Sequence, residues 1–179
     1  MLKTANTPFL ETERLFLRKF NENDLQDIFL IYSDHEVNRF LPWYPLETME
    51  EAREYLKKDI LPEYEKPIAY RYAIEEKATS RVIGYVSLCD IHIEKCCADL
   101  GYGLLKTYWN KGIITEAASK VLETAKENGF TRITATHDVN NPASGAVMKK
   151  IDMTFRYAYT EQWQPKNFKV IFRLYQIDF

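Results

Sequence analysis

The spacing of apolar residues in the first third of the chain predicts one strand and two helices. Residues 14–20, RLFLRKF, form a short segment rich in apolar residues and are predicted to be a strand. Asn21 follows as a candidate helix cap, and the next apolar residues have the spacing of one helical face: Leu25, Ile28, Phe29 and Tyr32. After a break with two prolines, Thr48 and Glu51 have the spacing of a capping box, which opens a second helix.

The rest of the chain is predicted to contain more strands and two further helices. The predicted strands are residues 69–75, 82–90, 98–104, 132–138, 154–163 and 169–177. One helix is predicted over 115–128 with Gly129 at its C′ position, and another begins at Asn141, which a proline follows, and runs to Ile151. This alternation is typical of a mixed α/β protein with one central sheet, and we expect residues 1–179 to form a single domain.

Composition and charge exclude several classes of protein. The chain is 46% hydrophobic and 28% charged, which is typical of a folded globular protein. The net charge of −2 gives no basic field for nucleic acid or anionic lipid, so we expect neither partner. The first residues lack the apolar run of a signal peptide, and no window is long and apolar enough for a membrane span. Three cysteines without metal-ligand spacing are typical of reduced thiols, so we expect a cytoplasmic protein without a metal site.

The segment YWNKGIITEA, residues 108–117, carries the first candidate chemistry. Gly112 lets a backbone pass close to a ligand, and the first turn of the helix that follows offers unpaired N–H groups and a positive dipole end. Together with the charge of Lys111, this arrangement suits phosphate oxygens. The alternative is that Gly112 only forms a turn before a helix. The spacing of glycines excludes both a Walker loop and a Rossmann fingerprint.

A second segment, NNPASGAVMKK at residues 140–150, follows one helix and one strand later. Together with GYGLLKTYWNKGIITEA, it resembles the RimJ/RimL-like branch of the GNAT acetyl-CoA-dependent N-acetyltransferases. The resemblance extends over nearly the whole chain, including TERLFLRKF, GYVSL and ADLGYGL. It implies a mostly antiparallel, twisted sheet of about six or seven strands, flanked by about four helices, in which a central pair of strands splays apart.

The resemblance also implies how acetyl-CoA is held. The pantetheine arm would lie between the splayed strands, against the strand that contains Gly101 and Gly103, and the following loop would surround the diphosphate with backbone N–H groups. The implied acetyl-CoA-binding residues are Leu104, Trp109, Asn110, Lys111, Gly112, Ile113, Ile114, Thr115 and Asn141. Ile114 and Asp152 depart from the family pattern, which usually has a small residue and a glycine at these places. The side chain of Ile114 must therefore point away from the phosphates, and Asp152 is expected to affect a turn rather than the chemistry.

For catalysis, the resemblance implies direct attack by an amine on the thioester, without a metal or a covalent acyl-enzyme. Ser144 matches a position near the cofactor sulfur and is the candidate proton donor, since Val147 and Met148 occupy the places where other members have tyrosine. Asp99 matches a carboxylate that faces the acceptor cleft and is the candidate base or amine-binding group, with His92 as a weaker alternative. Each of these side chains also has a purely structural alternative.

The expected acceptor is a primary amine, either a protein N-terminus or a small molecule. The segment DHEVNRFLPWYP, residues 34–45, is expected to form one wall of the acceptor groove, and its acidic residues would favour a cationic acceptor. Two other functions stay open: a non-catalytic module that binds acetyl-CoA or a partner, and a ribosome- or RNA-associated protein. The aromatic strands near the C-terminus suggest a homodimer, although they equally complete the sheet.

Overall fold

The computed structural model describes all 179 residues, with eight strands and four α-helices. The strands are β1 (Leu10–Glu11), β2 (Leu15–Arg18), β3 (Tyr70–Glu76), β4 (Arg81–His92), β5 (Cys97–Leu104), β6 (Arg132–Asp138), β7 (Thr154–Trp163) and β8 (Phe168–Asp178). The helices are α1 (Leu25–Ser33), α2 (Met49–Tyr55), α3 (Ile113–Glu127) and α4 (Pro142–Lys150). None of the helices is long and apolar enough to cross a bilayer.

All eight strands join one sheet in the order β1-β2-β3-β4-β5-β6-β8-β7. Only β5 and β6 run parallel; every other neighbouring pair is antiparallel. The parallel pair is joined only at its start, where Cys97, Ala98 and Asp99 face residues 132–134. Beyond Asp99 the two strands separate while each keeps its other neighbour. The splayed central pair implied by the resemblance is therefore present.

The helices cover the two faces of the sheet in pairs. On one face, α3 and α4 pack over a large apolar cluster that includes Leu100, Val121 and Ile133. On the other face, α1 and α2 pack over a smaller cluster that includes Ile28, Leu56 and Tyr85. The separated halves of β5 and β6 thus form a gap that lies between the two helical layers.

The helix ends follow from local sequence, with one correction. Helix α3 begins at Ile113 and not at residue 115, because Gly112 rather than Thr115 occupies the N-cap. Gly129 follows α3 with a φ of 91°, and bonds from its N–H and from that of Phe130 to preceding carbonyls form the predicted C-terminal cap. The same bonding pattern ends α4, where Asp152 occupies the left-handed position with a φ of 62°. The expectation that Asp152 belongs to a turn is confirmed.

Other predictions need adjustment at the edges of the sheet. Strand β1 has only two residues and was not predicted, because two residues are too few to show alternation. Asn21 caps a single 3-10 turn, and α1 follows directly after this turn. Strands β4 and β5 stay in register from Leu104 to Asp99, and the register shift lies nearer the turn, between Cys89 and His92.

Candidate active site

The gap between β5 and β6 is the feature around which the candidate site is built. Leu105 donates its N–H to the carbonyl of Ile83 in β4, so the backbone groups of Leu104 point the other way, towards the gap. Two helices begin beside this opening, α3 after the loop that leaves β5 and α4 after the turn that leaves β6. Strands that part while keeping their outer neighbours leave backbone donors and acceptors free for an extended ligand.

A run of backbone N–H groups beside the gap has no acceptor within the protein. It extends over residues 110–115, from the loop after β5 through the first turn of α3. The first intrahelical bond runs from the Glu116 N–H to the Gly112 carbonyl, at 3.0 Å. No side chain caps this helix end, so its unpaired donors and dipole are free to bind an anion.

The backbone of this loop turns through two left-handed residues, Asn110 with a φ of 60° and Gly112 with a φ of 74°. Alternation of such conformations turns successive N–H groups towards one point and forms an anion-binding concavity. A Cβ at residue 112 would contact only the Arg14 guanidinium, at 3.6 Å, so glycine is favoured there by backbone conformation rather than by crowding. The Lys111 ammonium lies 5.2 Å from the centre of the Tyr108 ring and adds positive charge beside the loop.

The side chains of Ile113 and Ile114 point into the core, where they are 3% and 7% exposed. Burial of each contributes about 1.5–3 kcal/mol to stability and fixes the first turn of α3. The unusual branched residue at position 114 thus points away from the loop concavity, as the sequence required. Thr115 is the third residue of α3, and no group of the protein bonds its hydroxyl.

Trp109 differs from its neighbours because both of its N–H groups are used inside the protein. Its backbone N–H donates to the Lys106 carbonyl at 3.1 Å, and its indole Nε1 donates to the Leu104 carbonyl at 2.7 Å. Trp109 therefore fastens the loop to the end of β5 rather than offering a donor. At Leu104, the backbone N–H is the group left free for a ligand.

Arg14 is a part of this site that sequence reasoning missed. Its guanidinium donates to the Lys111 carbonyl at 2.8 Å and to a Glu116 carboxylate oxygen at 2.6 Å. Glu116 also accepts from the Thr12 hydroxyl and from the Arg14 backbone N–H. The loop is thereby anchored through the Lys111 carbonyl, while the N–H groups of residues 110–115 stay free. The TERL motif that contains Arg14 was the available signal, but its partner lies about a hundred residues away in the chain.

Asn141 is the N-cap of α4, and its Oδ1 accepts the Ser144 N–H at 3.3 Å. Its Nδ2 group has no partner in the protein and remains a free donor beside the gap. The capping role and the ligand-binding role expected for Asn141 use different atoms of one amide, so they are compatible.

Ser144 is joined to a residue that the sequence analysis did not single out. The Tyr102 hydroxyl, on β5, lies 2.9 Å from the Ser144 Oγ and 3.1 Å from the Ser144 carbonyl oxygen. Burial raises the pKa of Tyr102 to about 12, although its bond with Ser144 opposes the shift, so this phenol is protonated at neutral pH. When Tyr102 donates to the Ser144 Oγ, the serine proton is free to point elsewhere. The pair therefore forms a two-hydroxyl chain across the gap.

Asp99 stands at the last paired position of β5 and β6, where the strands begin to separate. Its carboxylate accepts a hydrogen bond from the Thr134 hydroxyl. Cys89, opposite Asp99 on β4, donates its thiol to the Asp99 carbonyl. Although Cys89 as a residue is exposed, desolvation of its thiol and then the nearby Asp90 and Asp99 charges raise its pKa to about 11. Its thiol thus stays protonated at neutral pH, which disfavours Cys89 as a nucleophile. His92, the weaker candidate base, is exposed at the far end of β4.

The loop over residues 34–45 lies on the same side of the sheet as α1 and α2. Its fold depends on Asn38, which is fully buried and bonds the Ile31 and Asp34 carbonyls and the Trp43 indole. Lys166, in the β7–β8 turn, donates to the Asn38 and Leu41 carbonyls, so the hairpin tip is tied to this loop. The expectation that the loop forms a wall near the acceptor side stays a prediction.

Comparisons with known proteins agree with this geometry. The family model described as the acetyltransferase (GNAT) domain matches residues 14–154. The chain is 30% identical over 147 residues to a Bacillus subtilis protein described as the uncharacterized N-acetyltransferase YoaA, an alignment that covers 80% of this chain and 81% of that one.

Solved structures with the same fold give the same result. A GNAT-family acetyltransferase from Bacillus anthracis superposes with a TM-score of 0.82 at 26% identity, covering 96% of this chain and 98% of that one. RimL, described as a ribosomal L7/L12 alpha-N-protein acetyltransferase in complex with coenzyme A, superposes with a TM-score of 0.82 at 20% identity over 96% and 98% of the two chains. The likeness to RimL is one of fold. The chain belongs to the GNAT family of acetyl-CoA-dependent N-acetyltransferases.

Proposed function

We propose that this enzyme transfers the acetyl group of acetyl-CoA directly to a primary amine while both substrates are bound. The observation that carries the proposal is the row of unpaired N–H groups at residues 110–115 beside the gap between β5 and β6. The row of N–H groups suits a diphosphate, and the gap between the strands suits an extended arm that contains amides. The two features lie side by side, so one acetyl-CoA molecule can occupy both. The acceptor can then approach the acetyl end of the pantetheine arm, as a ternary complex requires.

Acetyl-CoA supplies an acetyl group on a good thiol leaving group. The chain's own residues would hold it in three places. The N–H groups of residues 110–115, with the Lys111 ammonium, would bind the diphosphate. The Asn141 Nδ2 and the Leu104 N–H would bind the pantetheine amides along the gap. Trp109 and Arg14 would keep the loop in shape without contacting the ligand.

Ser144 is the proposed proton donor to the departing sulfur, and Tyr102 is the group behind it. A thiol with a pKa near about 8.5 needs only modest protonation help, so a hydroxyl is a sufficient acid. Tyr102 would orient the serine hydroxyl through the 2.9 Å contact between their oxygens, and the proton that the amine nitrogen loses as the amide forms would replace the one that the sulfur takes. Tyr102 would therefore take part in catalysis as well as in packing.

Asp99 is the proposed group that orients the amine, because it lies where the paired strands begin to part. A carboxylate there attracts the ammonium form and, once that ammonium has lost a proton to solvent, accepts a hydrogen bond from the neutral amine. An α-amine, with a pKa of about 8, is partly neutral at physiological pH, whereas a lysine amine at about 10.4 needs a stronger base. Asp99 alone therefore suits a protein N-terminus or a small α-amine better than a lysine side chain.

A pair of variants at position 112 tests the proposal. Gly112→Asp places a carboxylate beside the diphosphate, whereas Gly112→Asn has almost the same shape without the charge and tolerates a left-handed φ. We expect Gly112→Asp to weaken acetyl-CoA binding about 30-fold or more in calorimetry, through repulsion on the order of 2 kcal/mol. Gly112→Asn should weaken it only a few-fold.

Thermal unfolding of both variants checks that each is folded. If the folded Gly112→Asp variant binds acetyl-CoA as tightly as the wild type does, the proposal that this loop binds the diphosphate is wrong. Absence of acetyl-CoA binding to the wild type at about millimolar concentration would contradict the whole proposal.

A further inference from the structure

We infer that the acceptor carries an anionic group, most simply a carboxylate, and that Arg71 on β3 binds it at the end of an open groove that starts at Asp99. This inference rests on the proposed function and specifies its acceptor. The acidic residues of segment 34–45 had favoured a cationic acceptor. The groove floor instead presents one negative and one positive side chain.

Arg71 is exceptional among the arginines of the chain because its charge is partly buried without a carboxylate. Six of the nine arginines pair with Asp or Glu: Arg14, Arg18, Arg53, Arg81, Arg132 and Arg156. Arg39 and Arg173 are exposed, where water solvates their charge. Arg71 is half-buried, and its only partners are the neutral Tyr55 hydroxyl at 2.7 Å and the Asp59 carbonyl at 3.2 Å. These two bonds leave three of its five N–H donors free.

A half-buried guanidinium without a counter-ion is costly, so the presence of Arg71 at this place calls for a reason other than stability. The Asp59 carboxylate does not fill this role, because no acidic oxygen lies within 4.0 Å of the Arg71 nitrogens. The Tyr55 ring, 5.6 Å from the guanidinium carbon, lies against the cation and helps to fix it. The fixed, forked donors of an arginine match the two oxygens of a carboxylate.

The strand register places Arg71 and Asp99 on the same face of the sheet. Arg71 lies directly opposite Ser87 on β4, and Ser87 lies opposite Gly101 on β5. Two residues further along, Cys89 lies opposite Asp99. Because residues opposite one another share a face and side chains alternate with a period of two, all of these positions share the face that α1 and α2 partly cover.

The positions between Arg71 and Asp99 carry small side chains, so the face is open there. Ser87 is half-buried and Cys89 is exposed. A Cβ added at Gly101 would meet nothing closer than the Ser87 Oγ at 3.6 Å and the Cys89 Sγ at 4.0 Å. In contrast, the next glycine position is filled, since a Cβ at Gly103 would lie 2.5 Å from the Tyr85 ring. Tyr85 therefore closes one side of a groove that runs from Arg71 to the opening of the strands.

The dimensions of the sheet set the size of the acceptor. Two strand spacings across and two residues along separate the Arg71 and Asp99 Cα atoms by about 12 Å. A short, flexible molecule with an amine at one end and a carboxylate several bonds away fits this span. Such a molecule is either a free amino acid with a distal carboxylate or a short peptide segment. The shared chemistry is a primary amine held at Asp99 with an anion held at Arg71.

The test uses matched acceptors that differ only in the anionic group. One arm compares ω-amino carboxylic acids of two to eight carbons with alkylamines of equal length. A second arm compares tetrapeptides that have Glu or Gln as the second residue, with a free or an amidated C-terminus. Each compound is titrated calorimetrically into the protein saturated with coenzyme A, and each is also assayed for acetylation by mass spectrometry.

We expect the anionic member of at least one pair to bind about 10- to 100-fold more tightly, as for a hydrogen bond between two charged groups. In Arg71→Gln this preference should disappear, while the affinity for the neutral member stays unchanged. Arg71→Lys should keep part of it. Tyr55→Phe is the control, because it removes a partner of the guanidinium and leaves its charge.

Equal binding of the two members in every pair would overturn the inference, and so would a preference that survives in folded Arg71→Gln. A preference in the first arm identifies a small amino acid as the acceptor type, and one in the second arm identifies a peptide. Failure of the proposed function would look different, since coenzyme A itself would then not bind.

Discussion

At the scale of single residues, the contact between Tyr102 and Ser144 gives the clearest prediction for catalysis. Ser144→Ala removes the proposed proton donor, and we expect it to lower kcat about 10- to 100-fold while leaving the affinity for acetyl-CoA nearly unchanged. Tyr102→Phe should lower kcat by a smaller factor, because the serine hydroxyl remains. Steady-state kinetics with a saturating acceptor measure both effects.

The pH dependence of kcat gives a further expectation for this pair. Since the pKa of Tyr102 is about 12, its phenol stays protonated through the accessible range, so it should add no falling limb to the profile below about pH 10. Thermal unfolding and calorimetry with coenzyme A show whether each variant keeps its site. If kcat is unchanged in Ser144→Ala, the Ser144 hydroxyl has only a structural role at the start of α4.

At the scale of elements, Arg14 and Glu116 join the start of β2 to the first turn of α3. Burial alone would raise the pKa of Glu116, but bonds from the Thr12 hydroxyl and from Arg14 outweigh it and lower the pKa below its ordinary value. A carboxyl whose pKa is lower in the folded state stabilises the fold above its unfolded pKa. This contribution is lost as the pH falls through the folded pKa.

We therefore expect Glu116→Gln to be less stable than the wild type at pH 7, by on the order of 1 kcal/mol, since Arg14 is 43% exposed. The difference should shrink as the pH falls below about 4, the region of the ordinary glutamate pKa. Urea unfolding at several pH values measures it. Glu123→Gln, on the exposed side of α3, is the control, and a constant difference at all pH values would contradict the assignment.

Also at this scale, the sequence was sufficient wherever an element depends on neighbours in the chain. Gly129 and Asn141 were recognised as helix caps because capping uses residues a few positions apart. Strand β6 was predicted with its observed bounds, 132–138, because its apolar alternation is regular. The start of α3 was misplaced because Thr115 is the more usual type of cap, whereas the observed cap is a glycine with a left-handed backbone.

At the scale of the whole molecule, the contacts that the sequence did not predict are those between distant segments. Arg14 contacts Glu116, Tyr102 contacts Ser144, and Arg71 reaches Tyr55 across two layers of the fold. No local period encodes these pairs, and only the sheet register brings them together. The general position of the site followed from two motifs, while the residues that anchor it and shape its acceptor side required the structure.

The free edge of the sheet bears on the predicted homodimer. Strand β7 has ten residues, pairs only with β8, and is exposed along most of its length. It presents Phe155 at 46% and Tyr157 at 55% exposure. A long edge strand with exposed aromatic side chains is a template for pairing with another strand. The opposite edge, β1, has two residues and offers no comparable surface.

We therefore expect two chains to associate through antiparallel pairing of their β7 strands, in the isologous manner of a twofold dimer. Phe155→Lys with Tyr157→Lys places charges on this edge, and it should shift the molar mass in light scattering from that of a dimer to that of a monomer. Ile93→Lys is the control, because this residue is 52% exposed in the turn after β4, outside the β7 edge, and the change should leave the mass as it is. A wild-type protein that stays monomeric at about 100 µM would contradict the prediction, as would a charged variant that stays dimeric. Since β7 lies at one end of the sheet and the gap between β5 and β6 lies inside it, loss of the dimer should leave acetyl-CoA binding intact.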